Sequence, residues 1–167
     1  MDEYISTKDH PKAKDVNLKL KVPIGWEIME ADRPNIVKKF VNGNNSYMIL
    51  IKDYMTFVSR NEAKEMLSDQ EFTNEFINEA ISFFKNPQIL NQNIVTVDKY
   101  PTLEFTVKGE AERLGYKFGM IMKFWFIFYE DKIIALQGGG IDNAEFKVLE
   151  HLYSSITNSV VFPEQYN

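Results

Sequence analysis

The chain contains no cysteine, which excludes a disulfide framework, a thiolate metal site and a cysteine nucleophile. The compartment stays open, because a chain without thiols is at home in either redox environment. Histidine is almost as scarce. His10 and His151 have no partner at metal-ligand spacing, so both are read as surface residues and no metal or cofactor site is expected. No H-E-x-x-H, G-x-S-x-G or calcium-loop pattern occurs, and no catalytic constellation is expected. Long apolar runs are missing as well. The most apolar stretch, Phe124 to Tyr129, is far shorter than the ~20 residues of a membrane-spanning helix, so no membrane span is expected. Positive charge is outnumbered, with a net charge of -5, which argues against a nucleic-acid partner. The opening MDEYISTKDH has neither a basic region nor an apolar one and reads as no secretion signal. A mature fragment behind an added methionine would read the same way. The expected setting is periplasmic or secreted if a signal peptide was removed, and cytoplasmic otherwise.

What is present suits a folded α+β domain. A chain of 167 residues is long enough to bury on the order of 70% of the surface it exposes when unfolded. Residues 1–15 read as a polar arm, made locally basic by Lys8, Lys12 and Lys14 and continued by Lys19 and Lys21, and residues 16–167 as one domain. VNLKLKV alternates Val16, Leu18, Leu20 and Val22 against polar residues, the period of a half-buried strand. PIGW turns the chain, Trp26 and Ile28 open a second strand, and NIVKKFV and SYMILIK flank a turn at Asn42-Gly43. These four strands are expected to form a meander. Serines three residues before glutamates, Ser59 with Glu62 and Ser68 with Glu71, predict two helix starts. The second helix is expected to carry Phe72, Phe76, Ile77, Ala80, Phe83 and Phe84 on one face and to stop at Asn86-Pro87. Strands return from Ile89, with turns at Leu114-Gly115 and Glu130-Asp131. A last helix starts at Asp142 or Asn143 and shows Phe146, Leu149, Tyr153, Ile156 and Val160 on one side. The second and last helices are expected on the same face of the sheet.

Three features invite a chemical reading. Gly138 to Gly140 follow a strand and precede a helix, as in a phosphate loop. The spacing lacks the later glycine and the lysine of nucleotide fingerprints, and Asp142 at the expected helix start would repel a phosphate. The glycines are therefore read as a corner capped by Asp142, with no nucleotide bound. Glu104, Glu110 and Glu112 share one strand parity and are candidates to converge with Glu130 or Asp131. An outward strand face more commonly leaves such carboxylates solvated. The aromatic strand is the most unusual feature. Phe118, Met120, Met122, Phe124, Phe126 and Phe128 form one face, expected under the helices, and the other presents Ile121, Trp125, Ile127 and Tyr129. Those four are the candidate partner-binding residues if they are exposed. Coverage by a loop or by the arm is the competing reading.

The order of elements also resembles a known family. KVPIGWE is similar to the strand, P-x-G-W turn and strand that open many PsbP-like domains, VDKYPTLEFTVKG to the strand pair after their helical segment, and SSITNSVVF to the end of their last helix. Members include a photosystem II extrinsic subunit, a Ran-binding import factor and bacterial envelope proteins. The resemblance implies a PsbP-like α/β/α sandwich, an antiparallel sheet with helices packed on its faces, used for binding without catalysis. It transfers no residue-specific role. The expected function is a non-catalytic binding or accessory domain of a bacterial envelope or secreted protein, with a protein or a small apolar ligand as partner. Two alternatives stay open: a cytosolic adaptor or chaperone for a secretion apparatus, and a small-molecule enzyme using the outward carboxylates.

Overall fold

The computed structural model describes residues 2–166. Two strands, β1 (Asp2–Ser6) and β2 (Lys19–Pro23), form an antiparallel ribbon. The main sheet is antiparallel and contains β3 (Glu27–Met29), β4 (Ile36–Asn42), β5 (Asn45–Val58), β6 (Lys85–Val97), β7 (Tyr100–Arg113) and β8 (Tyr116–Ile141), in the spatial order β3-β4-β5-β8-β7-β6. Helices α1 (Arg60–Ser68) and α2 (Gln70–Ala80) lie between β5 and β6 in sequence. Helix α3 (Phe146–Asn158) follows β8, and a short 3-10 turn spans Pro163–Tyr166. Among the described residues no helix is long and apolar enough to cross a membrane.

The central element is β8. Twenty-six residues in one straight strand would run about 85 Å at ~3.3 Å per residue, whereas a domain of this size has a radius of gyration of about 15 Å. The strand reverses instead. The Asp142 N–H donates to the Gly119 carbonyl at 3.0 Å, and a Cβ added to Gly139 would sit 3.1 Å from Met122. Both pairs are equidistant along the chain from Glu130-Asp131, so the reversal lies there, with Glu130 at φ +55°. The expected turn is thus in place. The first half of β8 pairs with β7 (Thr102–Arg113 against Tyr116–Ile127) and the second half with β5 (Ser46–Asp53 against Lys132–Gly139).

Each face of this sheet has its own core. Leu103, Phe105, Val107, Met122, Phe124, Phe126 and Phe128 pack with Ala63, Leu67 and Ile77 of α1 and α2. Ile121, Trp125, Ile127, Tyr129, Tyr47 and Ile49 pack with Phe146, Tyr153 and Ile156 of α3 and with Leu18, Leu20 and Val22 beside the ribbon. The second and last helices therefore occupy opposite faces, contrary to the single-face expectation. An apolar stripe requires burial but does not say on which side of the sheet it is buried.

Several local expectations hold. Ser59 caps α1, with its hydroxyl accepting from the Glu62 N–H at 3.1 Å and the Glu62 carboxylate accepting from the Ser59 N–H at 3.2 Å. Leu114 and Gly115 both have positive φ, as a two-residue hairpin turn needs. Other expectations shift. The β4–β5 turn is Gly43-Asn44, with Gly43 at φ +63°. Asp69 caps α2, accepting from the Glu71 and Phe72 N–H groups at 3.0 and 3.3 Å, while Ser68 ends α1 and donates to the Lys64 carbonyl at 2.7 Å. A carboxylate one residue nearer the helix wins the cap over the serine. Helix α2 ends at Ala80, so Phe83 and Phe84 lie in the following turn and Asn86-Pro87 in β6.

The amino-terminal segment is not a solvated arm. Residues Asp2–Ser6 pair with β2, and Thr7 and Ala13 are buried. His10 Nε2 lies 3.1 Å from Glu30, and Lys14 pairs with Asp53 at 3.3 Å. The His10 contact holds the Glu30 carboxyl below its ordinary value. Strand β2 accordingly leaves the expected four-strand meander: it pairs with β1 and, at Lys19, with Val161 beyond α3.

Gly138 to Gly140 are strand residues rather than a corner, with Gly138 opposite Tyr47 and Gly139 opposite Ser46. Asp142 is not a cap. Helix α3 starts at Phe146 with no side-chain capping bond, and Asp142 pairs with Lys108 at 3.0 Å. Gly138 exists for close approach: a Cβ there would lie 2.7 Å from Tyr153 Cδ1 and nearer still to Cγ. Removing that gap forces the α3 ring off the strand. Gly138→Ala is expected to cost about 1–3 kcal/mol, the usual penalty of overpacking, and to lower the melting temperature by several degrees; an unchanged melting curve would show that Tyr153 can retreat freely.

Burial raises the phenols of Tyr47 and Tyr153 above their ordinary value of 10.0. Their hydroxyls are held, Tyr47 against Thr157 at 2.8 Å and Tyr153 donating to the Gly139 carbonyl at 2.7 Å. A raised phenol favours the neutral folded form, so this stabilisation is complete below the unfolded value and is lost as pH rises through the folded one. Denaturant midpoints should fall above pH 10 together with phenolate absorbance, and Tyr47→Phe should flatten that slope.

Candidate functional site

The two faces are covered unequally. On the α3 side, the helix, the ribbon and the carboxy-terminal segment close over the sheet, with Phe162 stacked on Tyr129 at 4.6 Å. On the other side α2 stops at Ala80 and leaves a cleft of ≈ 260 Å³ against the sheet. Its floor is Phe124, Phe126, Ile133 and Ala135 of β8 with Leu50 of β5, and Phe76, Ala80 and Phe83 form the wall. Phe76 meets Phe126 edge-on at 4.8 Å, and Phe105, Phe124 and Phe126 stack at 4.9 to 6.0 Å, so the floor is a rigid aromatic layer. The small side chains Ala80 and Ala135 keep the space open. Asn35, Lys52, Glu79 and Gln137 supply the polar lining. Phe83, 60% exposed, stands beside it.

The candidate partner residues from the sequence lie elsewhere. Ile121, Trp125, Ile127 and Tyr129 are all buried under the α3 layer, Trp125 to 2% exposure. The structure brings them together as core rather than surface: Phe146, Tyr153 and Ile156 of α3, the apolar amino-terminal residues from Ala13 to Val22 and Phe162 after α3 belong to the same buried cluster. The Trp125 indole N–H donates to Glu104 at 2.7 Å. Glu104 and Glu150 of α3 flank the ammonium of Lys123 at 3.9 and 3.4 Å, with that ammonium 5.6 Å from the Trp125 ring. Lys123 is buried, and this paired cluster ties α3 to the sheet. Thr106, opposite Lys123, has the one buried side-chain oxygen among the described residues without a hydrogen-bond partner.

The outward carboxylates do not assemble a catalytic group. Glu104 is taken by Trp125 and Lys123, Glu110 accepts from Asn86 at 3.4 Å, and Glu112, Glu130 and Asp131 are exposed. Among the described residues no three His, Asp or Glu side chains gather as metal ligands. His151 is exposed as expected; His10 is folded against Glu30 instead. Sequence reasoning missed Ala80 and Ala135 as the residues that hold a cleft open. The available signal was a small residue inside each of two otherwise bulky apolar patterns.

No protein-family model matches the chain, and no curated protein matches it. Solved structures do. The solution structure of cyanobacterial PsbP (CyanoP) from Synechocystis sp. PCC 6803 aligns with a TM-score of 0.58 at 10% identity, covering 97% of this chain and 94% of that one. The Saccharomyces cerevisiae Ran-binding protein Mog1p aligns with a TM-score of 0.60 at 10% identity, covering 97% and 95%. This chain has the PsbP-like fold. LpqN of Mycobacterium tuberculosis, described as involved in cell envelope biogenesis, shares it with a TM-score of 0.55 at 14% identity, covering 96% and 90%. The PsbP-like sandwich accounts for the aromatic strand: both of its faces are covered by helices.

A buried Trp125 is directly measurable. With Trp26→Phe isolating the signal, Trp125 emission should be blue-shifted and shielded from acrylamide. Trp125→Ala should cost ~3–5 kcal/mol of stability, the usual range for emptying a large aromatic site. Ready quenching of Trp125 in the folded protein would contradict the packing.

Proposed function

We propose that the chain is a non-catalytic binding or accessory domain that holds a protein partner by an apolar side chain inserted beside α2, in a bacterial envelope or secreted setting. The observation that carries this reading is the cleft between α2 and the aromatic floor. At ≈ 260 Å³ it falls below the ~300–1,000 Å³ of drug-sized ligand pockets. It suits one or two side chains of a partner, anchored in an apolar site with a polar margin. The dispersed carboxylates support a role without catalysis. Among proteins of the same fold, Mog1p is named for binding Ran and LpqN for envelope biogenesis. The first supports a protein partner and the second the envelope setting.

Ala80→Trp tests the reading. The residue ends α2 and is half-buried at the margin of the cleft, so the larger ring fills the space while the two cores stay intact. A partner that co-purifies from the native host with the unaltered protein should fall at least about tenfold with Ala80→Trp, a typical hot-spot loss, at unchanged melting temperature. Equal recovery with both proteins would remove the cleft as the binding site.

A further inference from the structure

We propose that a second cleft, at the tips of the β4–β5 and β7–β8 hairpins, binds a small carboxylate with an apolar tail. This cleft has a volume of ≈ 510 Å³, within the ~300–1,000 Å³ range of small-molecule sites. Val41 of β4 and Phe118, Met120 and Ile141 of β8 supply its apolar lining. Lys39 of β4 and Arg113 of β7 bring two cations to it from different strands. Among the described residues neither cation makes an ion pair. No aspartate or glutamate lines the cleft, in a chain whose 24 acidic residues outnumber 19 basic ones. An acid-free hollow holding two free cations is complementary to an anion.

The lining also selects the rest of the ligand. Asn44, Asn45 and Ser46 are the uncharged polar side chains of the lining. An extended peptide laid on the other part, Val41, Phe118, Met120 and Ile141, would bury N–H and C=O groups against four side chains that cannot pair with them, which is costly. A hydrocarbon tail makes no such demand, and Met120 gives the lining a conformable, polarizable surface. A carboxylate head suits Arg113, whose guanidinium can donate two parallel hydrogen bonds to it, with Lys39 as a second charge. The site is separate from the cleft beside α2 and does not depend on what that cleft holds.

The test compares octanoate, 1-octanol and acetate by titration calorimetry, with methyl NMR shifts to locate the ligand. Octanoate should bind saturably and shift the Met120 methyl, acetate should not bind measurably, and 1-octanol should bind at least about tenfold more weakly. The double variant Lys39→Met/Arg113→Met keeps the apolar length of both side chains and removes their charge. It should reduce octanoate affinity at least about tenfold, to the level of 1-octanol, while Ala80→Trp leaves octanoate binding unchanged. Equal binding of octanoate and 1-octanol, an unchanged affinity in the double variant, shifts confined to the cleft beside α2, or no saturable octanoate binding would each overturn the proposal. Circular dichroism of the double variant separates a lost site from a lost fold, and octanoate against 1-octanol on the unaltered protein tests the head group without any substitution.

Discussion

The constraint on which the structure depends is a strand that has no polar face. From Ile121 to Tyr129 every residue of β8 is buried, including Lys123. An antiparallel strand normally alternates between core and solvent, but here both sets of alternating side chains are large and apolar. Such a strand is stable only at the centre of a sheet, with a covering layer on each side. Its position forces the topology around it: β7 on one side, its own second half on the other, and β5 beyond that. Helices must then arrive on both faces, α1 and α2 from the β5–β6 connection and α3 from the segment after β8. Lys123 is the exception that the packing has to accommodate. Two carboxylates beside its ammonium, one of them on α3, keep a buried charge from standing alone.

The covering layers are unequal because the helices differ in reach from the strands. Helix α2 has 11 residues and is about 16 Å long at ~1.5 Å per residue. Strand β7 has 14 residues and extends for about 46 Å at ~3.3 Å per residue. Short helices cannot cover long strands. On the α3 face the amino-terminal ribbon makes up the difference, which explains why Leu18, Leu20 and Val22 are buried in that core although β2 stays outside the main sheet. On the α2 face no comparable segment fills in. The clefts beside Ala80 and at the hairpin tips are what that shortfall leaves.

Much of the local structure could be read from the residues. The Ser59 and Glu62 capping pair, the Leu114-Gly115 turn, the reversal at Glu130-Asp131 and the buried side of α3 each depend on neighbours within a few positions, and sequence carries such information. What failed was long-range. Nothing in the stripe of α2 or of α3 distinguishes one face of a sheet from the other, so placing both on one side had no physical support beyond economy. The same gap left Trp125 open between exposure and coverage by a loop or the arm: with α3 assigned to the wrong face, the helix that packs in its core was not among its covers. The amino-terminal lysines looked like a solvated arm because their partners, Asp53 and the backbone near Ala31 and Arg33, are distant in the chain. Gly138 was legible as unusual, but its cause, a tyrosine ring from α3, became visible only after folding.

At 10 to 14% identity to the structures it resembles, this chain shares their arrangement of layers and little of their side-chain detail. Core positions can diverge so far and still satisfy one shape, because apolar residues of suitable volume are interchangeable as long as the pattern survives. Surface residues answer to no such rule. Neither Lys39 nor Arg113 is needed to build the sheet, and two like charges near one another oppose folding slightly rather than aid it. Ala80 and Ala135 likewise line an open cleft whose space neither core requires. Function is grafted onto a fold at positions where the fold itself asks for something else or for nothing. By that criterion both proposed sites lie on the incompletely covered face of the sheet, against the aromatic strand that makes the sheet possible.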